Sequence, residues 1–281
     1  MTRERAQVRP YWHVDAKWVT GLLLIFVLSV TLIVQSLVQV TDEKTAVDAL
    51  TLTLAISLSP GGLDDPTGPA IMRDKLQASP DKTIQIVPGL RWTVSEQEIA
   101  GLEPRQARLY MFRKLAVPIY QEGIQGFAKL ADDPEMKASM LSGGAMFDVL
   151  TLKTHQTLQQ ILAILVIVCL ALLVPLIFFS ARFGRIGSPG CVLCVASFPG
   201  ALILGILSTV NQSGASPANP ATGSGETFNY IVGLVVLPMV RGIVVGFWIA
   251  LAIGVGLVLV AVFGNLIWAI FRKKKTIQDS T

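Results

Sequence analysis

Between Trp18 and Val40 the sequence runs for 23 residues, WVTGLLLIFVLSVTLIVQSLVQV, without a charge. A helix crossing the ~30 Å hydrocarbon core of a bilayer needs about 20 such residues. A run this apolar constrains the whole chain, because it sets the solvent in which the chain folds. It follows a polar N-terminus, residues 1–17, that carries Arg3, Arg5, Arg9 and Lys17. A cleavable signal peptide has a shorter apolar core and a small-x-small cleavage site. The sequence VQVTDEK offers no such site, so an uncleaved signal-anchor helix is expected over 18–40.

Three more segments meet the same length criterion. The second span is expected over 158–180, with Pro175 kinking it near its end. The third covers 191–210 and is interrupted by Pro199-Gly200, which predicts a broken or tilted helix. The last apolar stretch, 228–271, would reach ~66 Å as one helix, too long for one crossing. Pro238 supplies a break, leaving an interfacial or re-entrant segment over 228–240 and a fourth span over 241–271.

Charge sets the orientation. Lys and Arg concentrate at the cytoplasmic ends of spans. Four such residues precede the first span, Arg182 and Arg185 occupy the 181–190 loop, and Arg272, Lys273, Lys274 and Lys275 open the 272–281 tail. Four spans put all three groups on one side, with both termini cytoplasmic, whereas a fifth would export the tail. The formal net charge of +4 follows from this partition. The cytoplasmic segments carry +7, residues 41–157 carry twelve basic and fifteen acidic residues, and Glu226 and Arg241 cancel. That pattern describes orientation in a bilayer and requires no nucleic acid.

Residues 41–157 then lie outside the cytoplasm. Only 15% of the whole chain is charged, against about 25% in soluble domains, but this segment is close to ordinary and long enough to hold its own core. Leu50, Leu52, Leu54, Ile56 and Leu58 alternate with Thr51, Thr53, Ala55 and Ser57, the period of a half-buried strand. Thr83 to Val87 is a second strand candidate, closed by Pro88-Gly89. From Thr93 onward the pattern turns helical. Glu103-Pro104 and Asp133-Pro134-Glu135 fit helix starts, and Met146 to Gln160 is expected to run unbroken into the second span. The expected fold class is a mainly α integral membrane protein, with four transmembrane helices and a small α+β extracytoplasmic domain between helices 1 and 2. The loop over 211–227 has linker composition and reads as flexible.

Cys191-Val192-Leu193-Cys194 is the sharpest local motif. A thiol at a helix N-terminus is acidified and can do redox work. The pair resembles that of the four-span disulfide-forming membrane oxidoreductases and quinone-linked epoxide reductases. Those enzymes relay electrons through a second, external cysteine pair, whereas the remaining Cys169 here lies inside the second span. The competing role for Cys191 and Cys194 is that of small buried residues. His13 and His155 fall on opposite sides of the hydrocarbon layer, and two cysteines alone half-fill a zinc site, so no metal and no cofactor is expected. Asp148 stands seven residues before His155, on the same face of a continuous helix, where it could orient the imidazole. No nucleophile elbow accompanies the pair, and no catalytic residue is assigned. Asp64-Asp65 reads as a turn.

Two features of the last span point to function. Arg241 either lines a path together with the breaks at Pro199 and Pro238, or snorkels to the headgroups. Gly242, Gly246, Ala250 and Gly254 recur every four residues and form a ridge for close helix packing, within the bundle or with a partner. The expected role is non-enzymatic: an accessory, assembly or partner-binding subunit of a membrane complex in a bacterial plasma membrane. Its partners are the lipid bilayer and other membrane subunits or further copies of the chain. The rivals are a transporter or channel component using Arg241, and a thiol oxidoreductase using Cys191 and Cys194.

Overall fold

The computed structural model describes residues 12–57, 67–85, 89–143, 145–180, 183–214 and 236–278. In chain order, α1 covers Trp12–Val40, α2 Glu43–Ser57 and α3 Thr67–Ala78. Strands β1 (Thr83–Gln85) and β2 (Thr93–Ser95) follow, then α4 (Glu96–Ile99), α5 (Pro104–Glu122), α6 (Ile124–Ala128) and α7 (Pro134–Gly143). A 3-10 turn over Ala145–Leu150 leads to α8 (Leu152–Phe178), α9 (Gly184–Gly214) and α10 (Leu237–Gln278). Among the described residues four stretches are long and apolar enough to cross a membrane: Asp15–Val40, Leu152–Phe178, Gly184–Ile203 and Met239–Trp268. The protein is therefore a mainly helical membrane protein. It divides into two compact units, one of Met1–Gln35, Ile161–Gly205 and Val244–Thr281, the other of Ser36–Gln160 and Ile206–Ile243.

In the second unit α2 packs along α5. The strand expected over Leu50–Leu58 is not formed, since residues up to Ser57 belong to α2. The alternation is real, but the same residues also satisfy helical spacing: Val47, Leu50 and Leu54 are three and four apart and all buried. Glu43 favours the positive end of this helix. The Thr51 hydroxyl donates to the Val47 carbonyl at 2.7 Å, so the β-branched residue is satisfied within the helix. Against α2 lie Ala107, Met111, Phe112, Leu115, Ala116, Ile119 and Tyr120 of α5, with Trp92 tilted onto Phe112 at 5.5 Å between ring centres.

Among the described residues strand content shrinks to β1 and β2, antiparallel, with Ile84 opposite Val94. The first falls inside the expected Thr83–Val87 segment, and helix after Thr93 begins only at Glu96. The α+β expectation is thus corrected to a helical domain with one short strand pair. Pro104 and Pro134 do open helices, as the sequence suggests. The unbroken run expected over Met146–Gln160 is interrupted at Thr151. That residue is buried and its hydroxyl accepts the Thr154 N–H at 3.3 Å, the role of an N-cap.

In the first unit Leu24, Leu176 and Val192 form a small core shared by α1, α8 and α9. The Ser29 hydroxyl reaches the Ala196 carbonyl at 3.3 Å, and Thr31 Oγ1 lies 3.5 Å from Cys169 Sγ. Helix α8 continues three residues beyond Pro175. The break expected at Pro199 is absent, because α9 runs through both Pro189 and Pro199. Proline removes one backbone donor, and Gly200 beside it opens room for the Phe247 ring, which lies 2.3 Å from where a Cβ would stand. Pro238 falls in the first turn of α10, where its missing N–H costs nothing. Helix α10 has 42 residues and continues through the basic run 272–275. Most of the re-entrant segment, residues 228–235, lies outside the described residues, as do 1–11, the Asp64-Asp65 turn, Arg182, 215–227 with Glu226, and 279–281.

Candidate functional site

The α9–α10 crossing brings together several residues singled out from the sequence. The helices run antiparallel: Gly187 meets Ala261, Gly190 and Cys194 meet Gly254, and Gly200 meets Phe247. Among the described side chains of α10 the buried positions are Val244, Phe247, Gly254 and Ala261, a heptad-like seam. Of the predicted ridge, Gly254 meets α9 closely, its carbonyl 2.9 Å from where a Gly190 Cβ would stand. Gly242 and Gly246 have nothing within 4 Å of where a side chain would begin, and Ala250 is half-buried. A strict four-residue repeat drifts about 40° around a helix per step, so a long contact follows the 3-4 alternation instead.

Cys194 sits in this crossing, its Sγ 2.8 Å from where a Gly254 Cβ would stand, whereas Cys191 is exposed. Both lie two turns or more inside α9, which begins at Gly184. The acidifying helix N-terminus that the redox reading needs is therefore absent at the pair. Cys169 is half-buried on α8. Arg241 is exposed in the second turn of α10.

The helical domain contains the second candidate, a cleft of about 670 Å³ where α5 turns into α6 and the 3-10 turn runs into α8. Gly123 makes this turn at φ +68°, ψ −154°, a region open essentially to glycine alone. A Cβ there would also meet Asp148 Oδ1 at 2.5 Å. Asp148 Oδ1 accepts the Ile124 N–H at 3.1 Å, locking the two walls together. Thr151 and Thr154 both donate to the Asp148 carbonyl, at 3.1 and 3.0 Å, and Thr157 donates to the Lys153 carbonyl at 2.9 Å. Thr151 is buried and its oxygen already accepts the Thr154 N–H, so Thr154 and Thr157 are the hydroxyls that present lone pairs. Glu122 on the rim is taken by Lys129. Sequence reasoning missed this cleft; its one linear signal is the three-residue repeat of Thr151, Thr154 and Thr157 ahead of an apolar span.

The Asp148–His155 pair does not form, because Asp148 is turned to Ile124. His155 Nδ1 lies instead 3.1 Å from Thr41 Oγ1, and its Nε2 lies 2.9 Å from Gln159 Nε2. A Gln159 amide donating to Nε2 leaves the proton on Nδ1 for Thr41. The Thr41 carbonyl accepts the Tyr120 hydroxyl at 3.2 Å. Burial pushes that phenol above its usual pKa, and the Glu43 and Asp42 charges add to the shift. Elsewhere on the domain a hydrogen bond from Lys114 holds the Glu98 carboxyl below the usual range, with help from the Ser95 N–H. Among the described residues no three His, Cys, Asp or Glu side chains gather closely enough to hold a metal. Comparison with protein families, with curated proteins and with solved structures finds no match.

Proposed function

We propose that this chain is a non-enzymatic multi-pass subunit of a membrane complex, acting through the domain between its first two spans. The observation that carries the reading is a separately packed helical unit, with its own continuous core, inserted between two apolar helices. Such a unit presents a rigid surface to a partner, and its exposed Ile71 and Tyr110 are apolar positions a partner would cover. The distribution of Lys and Arg supports cytoplasmic termini and a domain on the far side of the membrane, which we take to be a bacterial plasma membrane.

The test is purification from the native membrane in mild detergent, with Ile71→Asp and Tyr110→Asp variants alongside. A subunit recovered in fixed stoichiometry with the parent protein, and lost with either variant while helical content stays unchanged, supports the reading. A purified chain that alone turns over a substrate or carries flux across vesicles overturns it.

A further inference from the structure

The cleft at the start of α8 holds charges of both signs that the fold leaves uncommitted. Among the described residues neither Asp148 nor Lys153 belongs to an ion pair, whereas the other carboxylate lining the cleft, Glu122, is paired with Lys129. Asp148 has one oxygen on the Ile124 N–H and its second carboxylate oxygen to spare. Around it the Thr154 and Thr157 hydroxyls, already donating to backbone carbonyls, offer acceptors to an ammonium. Lys153 and the Gln121 and Gln125 side chains on the cleft wall are donors that suit an anion.

On α8 the cleft residues Lys153, Thr154, Thr157 and Leu158 come directly before residues 159–178, twenty residues and so enough to cross a ~30 Å hydrocarbon layer. With that stretch as the span, the polar end of α8 that lines the cleft is the part of the helix a lipid headgroup would meet. Val149, beside Asp148, is 62% exposed.

We propose that the cleft binds a phosphorylated primary amine, the chemistry of phosphoethanolamine. Asp148 and the threonine oxygens hold the ammonium, and Lys153 with the glutamine amides holds the phosphate. Two sources carry this group: the headgroup of phosphatidylethanolamine and free phosphoethanolamine.

The full chain is reconstituted into phosphatidylcholine nanodiscs containing a minority of either phosphatidylethanolamine or phosphatidylglycerol. Lipid retained after mild re-extraction is counted by native mass spectrometry. In a second arm, free phosphoethanolamine is titrated onto protein in pure phosphatidylcholine nanodiscs and followed by phosphorus NMR. Lys153→Gln removes the cation at an exposed site. Asp148→Asn removes the anion but keeps an acceptor for Ile124, so the fold is preserved. Lys137→Gln, exposed and outside the cleft, is the control.

Charge-dependent binding in either arm supports the proposal, with at least a tenfold loss in both cleft variants and none in the control, the scale of a charge-assisted hydrogen bond. Retention of lipid alone assigns the headgroup as the source, and binding of the free compound alone assigns a soluble ligand. Equal retention of the two lipids with no binding of the free compound overturns the proposal, as does binding that survives both substitutions.

Discussion

Placing a single methyl group at two glycines of α10 tests the packing of the membrane unit. At Gly254 the new Cβ would lie 2.8 Å from Cys194 Sγ, 2.9 Å from Cys194 N and 3.0 Å from the Gly190 carbonyl, where ordinary contact begins at 3.4 Å. Two of these neighbours are backbone atoms of a regular helix and cannot swing aside, so the crossing must open by about 0.5 Å. A gap of that size forfeits about a quarter of the dispersion well for each contact along the seam. Overpacking of this kind costs about 1–3 kcal/mol. The better helix propensity of alanine returns up to about 1 kcal/mol, which leaves a net loss of up to about 2 kcal/mol. At Gly246 the same methyl meets nothing within 4 Å, and only the propensity gain remains. Reversible unfolding of the two variants in mixed detergent micelles, followed by circular dichroism, should therefore separate them by about 2 kcal/mol. Equal effects at the two positions, or greater damage from Gly246→Ala, would refute the seam and restore the four-residue ridge.

Three further perturbations probe the helical domain. Gly123→Ala imposes a side chain at φ +68° and a contact with Asp148, so denaturant unfolding monitored by Trp92 fluorescence should lose at least ~1–3 kcal/mol. Tyr120→Phe deletes the hydroxyl that donates to Thr41 and should cost about 0.5–1.5 kcal/mol by thermal melting. Glu98 has a folded pKa below its ordinary 4.5, so its contribution is complete above that value and lost as pH falls through the depressed folded value. Glu98→Gln should accordingly flatten the acid limb of the stability–pH curve; an unchanged slope between neutral and strongly acidic pH would count against the Lys114 contact.

The four spans were legible in the sequence because hydrocarbon thickness imposes a length, and few other structures use 20 or more uncharged residues in a row. Helix starts at Pro104 and Pro134 were equally clear, since in the first turn proline's missing N–H costs nothing. The strand over 50–58 was misread because leucines two apart are also four apart, and the helix-favouring stretch from Glu43 decides between the two periods. Pro199 was misread because a proline signals one lost hydrogen bond, while Gly200 and Phe247 lie 47 residues apart and their fit is visible only in three dimensions. The cleft escaped for a similar reason. Its walls come from 121–125 and 148–158, and the turn that joins them depends on Gly123, which in sequence looks like any helix terminator.

In the proposed function the chain crosses the membrane four times and the 41–157 domain lies on the far side from its tail. Single cysteines at Lys137 and Thr276, in a chain whose Cys169, Cys191 and Cys194 are replaced by serine, can be labelled on intact cells with a membrane-impermeant maleimide. The account predicts that Lys137→Cys labels directly and that Thr276→Cys labels only after permeabilisation. Labelling of both from the outside, or of neither until the cells are opened, would contradict it.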